Sequence, residues 1–528
     1  MNLPRLLACF LLAVSMLAST ALADVQLPKI FGSGMVLQRG LATPVWGTAE
    51  PGEEVVVEFA GQKKTAKADA KGNWIVRLDP MEASSKDQIF KVSGDGYAAG
   101  FKGVLVGDVW ICSGQSNMEW TVQNSLNPQE EIKAADHPNI RLFNVPGHTT
   151  SPLAKRELPG GAWQICSPKT VAGFSAVGYY FGRRLNQESK VPIGLIGTNW
   201  GGTRIEPWTP PVGFRQVPQL KGISDAVNRF DPTHPSGKAT WSNFTDETAA
   251  WAASAKAALA KGESFEPPPI APGYRNGGDP TAIYNAMVRP LAPYGVRGAI
   301  WYQGESNGNE GESYFHKMQA LIQGWRSVWD QGDFPFYFYF VQLADFQAPN
   351  ENPAGGNGWA RLREAQRKAL TILHTGMAVI TDIGNARDIH PRNKQDVGSR
   401  LAQWALRDVY KKNVVPSGPL FKELKIEGGK ARVIFEYSAD GLRVGKRKEM
   451  LKPTEFVANG ELARFAIAGK DRQWHWASAQ IDGDSVVVWS KDVPNPVAVR
   501  YAYSMNPAGA NLYNSLGLPA SPFRTDDW

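Results

Sequence analysis

Residues Val104–Trp120 read VLVGDVWICSGQSNMEW: a largely apolar run, then a polar turn with a serine set between two amides and a glutamate close behind. The run Val104–Ile111 has the length of a buried strand, and four more follow it: Val191–Ile196, Val296–Trp301, Pro335–Val341 and Met377–Thr381. Between them, Tyr314, Met318, Leu321, Ile322 and Trp325 recur at helical spacing, as do Val397, Leu401, Trp404 and Ala405. Short apolar runs alternating with amphipathic helices predict a parallel sheet with helices on both faces.

Working outward, residues 24–102 carry period-two alternation at Glu54–Phe59 and Trp74–Leu78, broken by the turn signals AEPGEE and DAKGNW. This predicts a small β-sandwich. Residues 415–528 are strand-like again in KARVIFEY, DSVVVWS and VAVRYAY, a second β region. The central domain therefore runs over 103–414. Within it, about 211–280 breaks the alternation: an Ala-rich helix at Thr248–Lys261 sits among Pro- and Gly-rich segments, which reads as an insertion near the sheet's upper edge.

Residues 1–23 carry one basic residue, Arg5, an apolar run from Leu6 to Leu17 and a small-residue Ala21-Leu22-Ala23 site, the pattern of a signal peptide cleaved before Asp24. A periplasmic or secreted protein without a membrane anchor is expected. The formal charge of +7 is spread without blocks, which argues against nucleic acid as partner and permits anionic substrates. Cys112 and Cys166 are the cysteines beyond the leader, enough for one disulfide and too few for a Cys-rich metal site. Oligomeric state is not readable.

Open α/β sheets bind ligands outside the carboxyl ends of their strands. Just after the runs stand Ser113–Asn117, then Thr198–Arg204 with Gly201 and Gly202, then Gln303–Asn307, then Asp382, Asp388 and His390. These are the parts that ester cleavage needs. A serine hydroxyl attacks once a base removes its proton, an imidazole suits that task, and a carboxylate orients the imidazole. Charge on the carbonyl oxygen must meet fixed donors, each contributing roughly 3–4 kcal/mol to the barrier. The N–H groups of Ser116 and of Gly201 or Gly202, with the Gln303 amide, are the candidate donors; Asn199 and Asn307 stand in reserve.

The blocks SGQSNMEW, NWGGTRIEPW, WYQGESN and DIHPRNK, in this order, resemble the SGNH hydrolase superfamily and within it the sialate O-acetylesterase family of carbohydrate esterases. The resemblance covers about Gly103–Leu401 and continues into the tail NPVAVRYAYSMNP and GLPASPFRTDDW. It implies Ser116 as nucleophile, His390 as base, Gly201 or Gly202 as the second-block glycine and Gln303 where many members use asparagine. It also implies a flavodoxin-like three-layer α/β/α domain with no metal or organic cofactor, acting on O-acetyl sialic acid. Its spacing would put the acid at Arg387; the carboxylates at hand are Asp388 and, second, Asp382.

Each candidate has a rival. Asp231-x-x-His234 has the wider spacing but falls in the insertion, where a loop histidine explains it more economically. Glu119 and Glu305 together suggest a glycosidase, which would leave Ser116, the glycine pair and Asp388/His390 unexplained. Glu305 reads better as a residue holding neighbouring loops, and Glu119 as a helix-start carboxylate. Arg204, Arg363 and Arg392 are candidate clamps for a sugar carboxylate, or ion-pair partners of Glu206, Glu364 and Asp388. Low-rank contacts to substrate are Asn199, Arg204, Glu305 and Asn307. Acetylated xylan or another plant glycan is the alternative substrate, and a non-catalytic carbohydrate-binding protein the alternative class.

Overall fold

The computed structural model describes residues 25–528; the leader and its cleavage site lie outside the described residues. The protein is mixed α/β, with a large mixed sheet and further β sheets at the C-terminus. Six strands come first: β1 (Val36–Gln38), β2 (Thr43–Thr48), β3 (Glu54–Phe59), β4 (Gln62–Lys67), β5 (Asn73–Leu78) and β6 (Ser84–Gly94). In β3 and β5 the inward side chains alternate with outward ones, as the sequence pattern requires.

The next strand, β7 (Tyr97–Gly114), passes unbroken through residues 102 and 103. Its first part pairs with β6 and β1. Its second part pairs on both sides with central strands. The border read from composition thus falls inside one strand, and one hydrophobic core extends from Val25 through the central region. The two β-rich and α/β parts are fused by a shared hydrogen-bonded ladder, which composition does not register.

Six strands of the central sheet follow: β8 (His137–Asn144), β9 (Gln164–Cys166), β10 (Ile193–Asn199), β11 (Gly298–Tyr302), β12 (Tyr337–Val341) and β13 (Thr375–Ala378). The order is β13-β12-β11-β7-β10-β8-β9, parallel except for the β8–β9 pair. β11 and β12 are buried at every position, as expected where both faces are covered. Cys112 on β7 and Cys166 on β9 are free, buried thiols.

The helices are α1 (Ser116–Glu119), α2 (Pro128–Lys133), α3 (Ala176–Ser189), α4 (Pro211–Arg215), α5 (Lys221–Asn228), α6 (Pro235–Lys261), α7 (Ser313–Trp329), α8 (Ala360–Lys368) and α9 (Lys394–Asp408). The insertion holds α4 to α6 and has its own small core of Phe214, Val217, Leu220 and Val227 against Ala320 of α7. α6 starts at Pro235, thirteen residues before the Ala-rich segment, because proline fits the first turn and the His234 side chain accepts from the Ser236 N–H. Among the described residues no helix is long and apolar enough to cross a membrane.

The chain lays β8 and β10 on one side of β7, then β11 to β13 on the other. The direction of winding reverses at β7, so a crevice opens beyond its carboxyl end. The C-terminal strands, between Leu420 and Arg524, build a separate core, and their tail returns to the central region, where Gln342 Nε2 donates to Ser521 Oγ at 2.9 Å.

Candidate active site

Ser116 lies two residues past β7, at that crevice. Gly114 has a φ of +140°, and a Cβ there would come 2.1 Å from the Tyr302 carbonyl oxygen of β11. Only glycine lets the strand end so close to its neighbour. The turn is then pinned by Gln115, whose N–H donates to Tyr302 O at 3.0 Å, while its Oε1 accepts from Ser306 N at 3.3 Å. Ser116 opens α1, so its own N–H has no acceptor inside the helix.

The His390 ring comes from the loop between β13 and α9, and its Nε2 lies 2.9 Å from Ser116 Oγ. The Trp120 indole stacks on the imidazole, with centroids 4.9 Å apart and planes 13° from parallel. Asp388 Oδ1 accepts from the His390 backbone N–H at 2.8 Å and stands 3.8 Å from Nδ1. That second distance is an ion-pair separation, longer than a hydrogen bond, so Asp388 holds the histidine chiefly through its main chain in this state. Partial burial, and next the charge of Lys394, lower the pKa of His390, while Asp388 opposes them. The imidazole is therefore neutral at neutral pH and free to take a proton.

The second acid candidate is occupied elsewhere. Asp382 receives two bonds from Arg400, at 2.6 and 2.8 Å, and Arg447 of the C-terminal region approaches at 3.5 Å. The rival pair in the insertion is occupied as well: Asp231 binds Arg215 at 2.6 Å, and His234 Nδ1 meets Ser236 Oγ at 2.6 Å.

Two of the candidate oxyanion donors are engaged within the protein. Gln303 is fully buried, with its amide donating to Thr203 O at 3.2 Å and Asn307 Oδ1 at 2.7 Å while Oε1 accepts from Tyr314 at 2.6 Å. Both its hydrogens are used to tie loops together, so none faces an acyl oxygen. The Gly201 N–H is likewise taken, by Glu119 Oε2 at 2.7 Å. Glu119 Oε1 in turn meets His148 Nε2 at 2.8 Å, and the His148 ring stacks on Trp200 at 4.8 Å. Gly202 differs: its φ is +74°, it is exposed, and open space surrounds the place a Cβ would take.

Asn199 ends β10 level with Gly114, half-buried at the crevice. Asn307 is buried, donating to Glu206 at 3.1 Å and Glu310 at 3.0 Å. Arg204 pairs with Glu206 and Glu310, and Lys317 bridges the same two carboxylates. Arg363 is fully buried and donates to the carbonyls of Leu343, Ala344, Ser504 and Met505 rather than to Glu364. Arg392 donates to the carbonyls of Asn124 and Ser125, not to Asp388. Glu305 accepts from Asn117 Nδ2 at 2.6 Å, a loop-holding bond.

Sequence reasoning missed Asn117, Trp120, His148, Trp200 and Lys394. Four of these stand inside the quoted blocks, where the block itself was the available signal. His148 has no local signal at all.

Hydroxyl and imidazole facing each other at the reversal point of a parallel sheet suit acyl transfer, and comparison with known proteins makes the chain a carboxylic ester hydrolase. It belongs to the family described as carbohydrate esterase, sialic acid-specific acetylesterase, whose model matches residues 106–232 and 270–407. The unmatched gap, 233–269, covers the whole of α6. Sialate O-acetylesterase of Mus musculus is 28% identical over 97% of this chain and 96% of its own length. That of Homo sapiens is 28% identical over 93% and 90%. The crystal structure of a carbohydrate acetylesterase from Xanthomonas citri is 37% identical, with a TM-score of 0.77 over 96% of this chain and 100% of that one.

Proposed function

We propose that the chain is a periplasmic or secreted serine esterase that removes acetyl groups from carbohydrate hydroxyls through an acyl-enzyme on Ser116, on an SGNH-type three-layer central domain. The observation carrying this reading is the 2.9 Å approach of His390 Nε2 to Ser116 Oγ. His390 takes the hydroxyl proton as Oγ bonds to the acetyl carbon, giving a tetrahedral oxyanion. The N–H groups of Ser116 and Gly202 are the donors assigned to that oxygen. Collapse breaks the bond to the sugar oxygen, which leaves with the proton held by His390. Water, deprotonated by the same imidazole, then attacks the acyl-enzyme and releases acetate. Asp388 holds His390 and stabilises the positive charge it gains.

O-acetyl sialic acid is the first substrate assigned, following the names of the relatives. A second reading, acetyl esters on neutral glycans such as xylan, is favoured by Arg204 and Arg363, whose guanidinium groups are engaged within the protein and leave no clamp for a sugar carboxylate there. The test is acetate release from O-acetyl sialic acid, acetylated xylan and acetylated xyloglucan by wild type and Ser116→Ala. Release from the sialic acid at the highest kcat/KM upholds the first reading, and a preference for the plant glycans upholds the second. Release at the uncatalysed rate from all three would make the chain a carbohydrate-binding protein.

A further inference from the structure

Three of the sequence blocks each contribute a side chain to which the steps above assign no task, two of them buried and that of Glu305 half-buried, and the three meet. Asn117 follows the nucleophile, Glu305 stands in the loop after β11, and Lys394 opens α9 four residues beyond His390. Asn117 is 1% exposed and Lys394 0%. The Lys394 ammonium donates to Asn117 Oδ1. The same amide donates from Nδ2 to Glu305 Oε1 at 2.6 Å and to the carbonyl of Ile389 at 3.0 Å.

The ammonium also lies 5.1 Å from the Tyr302 ring centroid and 6.0 Å from that of Trp120, the indole stacked on His390. Glu305 Oε2 is buried without a partner. Burying a charge is costly, and an apolar side chain would fill this space more stably. A lysine here is explained by what it holds and by the field it sets up.

We infer that Lys394 is a positioning residue for the Ser116/His390 pair: through Asn117 it fixes the Ile389 carbonyl, and so the placement of the imidazole on the hydroxyl, and its charge keeps that imidazole in the proton-accepting form. The inference rests on the reading of Ser116 and His390 as nucleophile and base. The groups that act on the His390 ring are Lys394, which disfavours its protonation, and Asp388, which favours it, with the Ser116 hydroxyl and the Trp120 ring in contact. Burial lowers the Lys394 pKa to about 7 and raises that of Glu305. His390 titrates below that value, so Lys394 is charged where its charge matters.

The experiment measures kcat and KM on p-nitrophenyl acetate against pH for wild type, Lys394→Met, Lys394→Gln, Ser116→Ala and His390→Ala. Lys394→Met should lower kcat about tenfold or more with little change in KM, and move the acid limb of kcat/KM upward by roughly half a pH unit or more. Lys394→Gln keeps a donor for Asn117 without the charge, so it should recover part of kcat and retain the displaced limb. Both variants folded by circular dichroism with a wild-type acid limb would overturn the inference. Should neither variant fold, nitrogen-15 NMR of wild-type His390 and Lys394 decides: a second inflection in the His390 ring signals at the pH where Lys394 loses its proton upholds it, and His390 signals that ignore that titration overturn it. Full activity in Ser116→Ala is a separate result, which removes the function proposed above.

Discussion

The Trp120 indole lies nearly flat on the His390 imidazole, four residues beyond the serine that the same imidazole engages. One short segment, the end of β7 with α1, thus supplies both the hydroxyl and the plate that sets the plane of its partner ring. Trp120→Ala removes the plate and leaves Ser116 in place. We expect kcat on p-nitrophenyl acetate to fall by roughly tenfold while KM holds, since a misaligned base slows proton transfer without weakening substrate binding. Steady-state kinetics at saturating substrate check this.

Activity should depend on a single deprotonation below neutrality. The folded-state pKa of His390 is lowered, mainly by burial and next by Lys394. The base form therefore predominates above the ordinary 6.5, and kcat/KM should be flat from there into the neutral range and decline as pH falls further. Stability shares the sign. The unfolded chain binds the proton more tightly than the folded one, so this group's contribution is present above 6.5 and is lost as pH falls from there through the folded pKa. A pH–rate profile and urea melts at stepped pH test both halves.

The two acid candidates should separate by phenotype. Asp382 sits between Arg400 and Arg447, both largely buried. Asp382→Asn leaves these cations under-compensated and should destabilise the fold by about 3 kcal/mol, with the loss seen in urea unfolding. Asp388, nearly half exposed, holds the histidine segment, so Asp388→Asn should lower kcat with far less effect on unfolding.

Gln303→Ala should behave as a stability variant. It strands the Thr203 carbonyl in the interior and takes one partner each from the Tyr314 hydroxyl and Asn307 Oδ1, which keep the backbone carbonyl of residue 303 and the Ile205 N–H, at a cost of about 1–3 kcal/mol. A donor aimed at the oxyanion would instead cost a hundredfold or more in kcat with the fold unchanged. Calorimetry and kinetics on the same preparation distinguish the two.

The central strands were legible because a strand buried on both faces writes its apolar run into consecutive residues: the run read at Pro335–Val341 is β12, Tyr337–Val341. β8 was not read, since only Ile140–Phe143 of His137–Asn144 are buried and Arg141 interrupts that short apolar run. The join at residues 102 and 103 was invisible because ladder pairing of β7 with β1 and β6 is a long-range property. At the site, residue types were readable and their orientations were not. Gln303 is a donor by chemistry, and Asn307 together with Thr203, a hundred residues earlier, decides where its hydrogens point. Gly201 is decided in the same way by Glu119. Nothing local marks Lys394 as buried; the fold closes Tyr302 and Asn117 around it.

The central claim is that Ser116 carries the acyl group, and covalent labelling tests it most directly. Enzyme treated with a fluorophosphonate ester should lose activity in step with labelling, and peptide mass spectrometry should find the phosphonyl group on the peptide containing Ser116. Complete modification of Ser116 with hydrolysis undiminished, or inactivation with the label on another residue, would contradict the account.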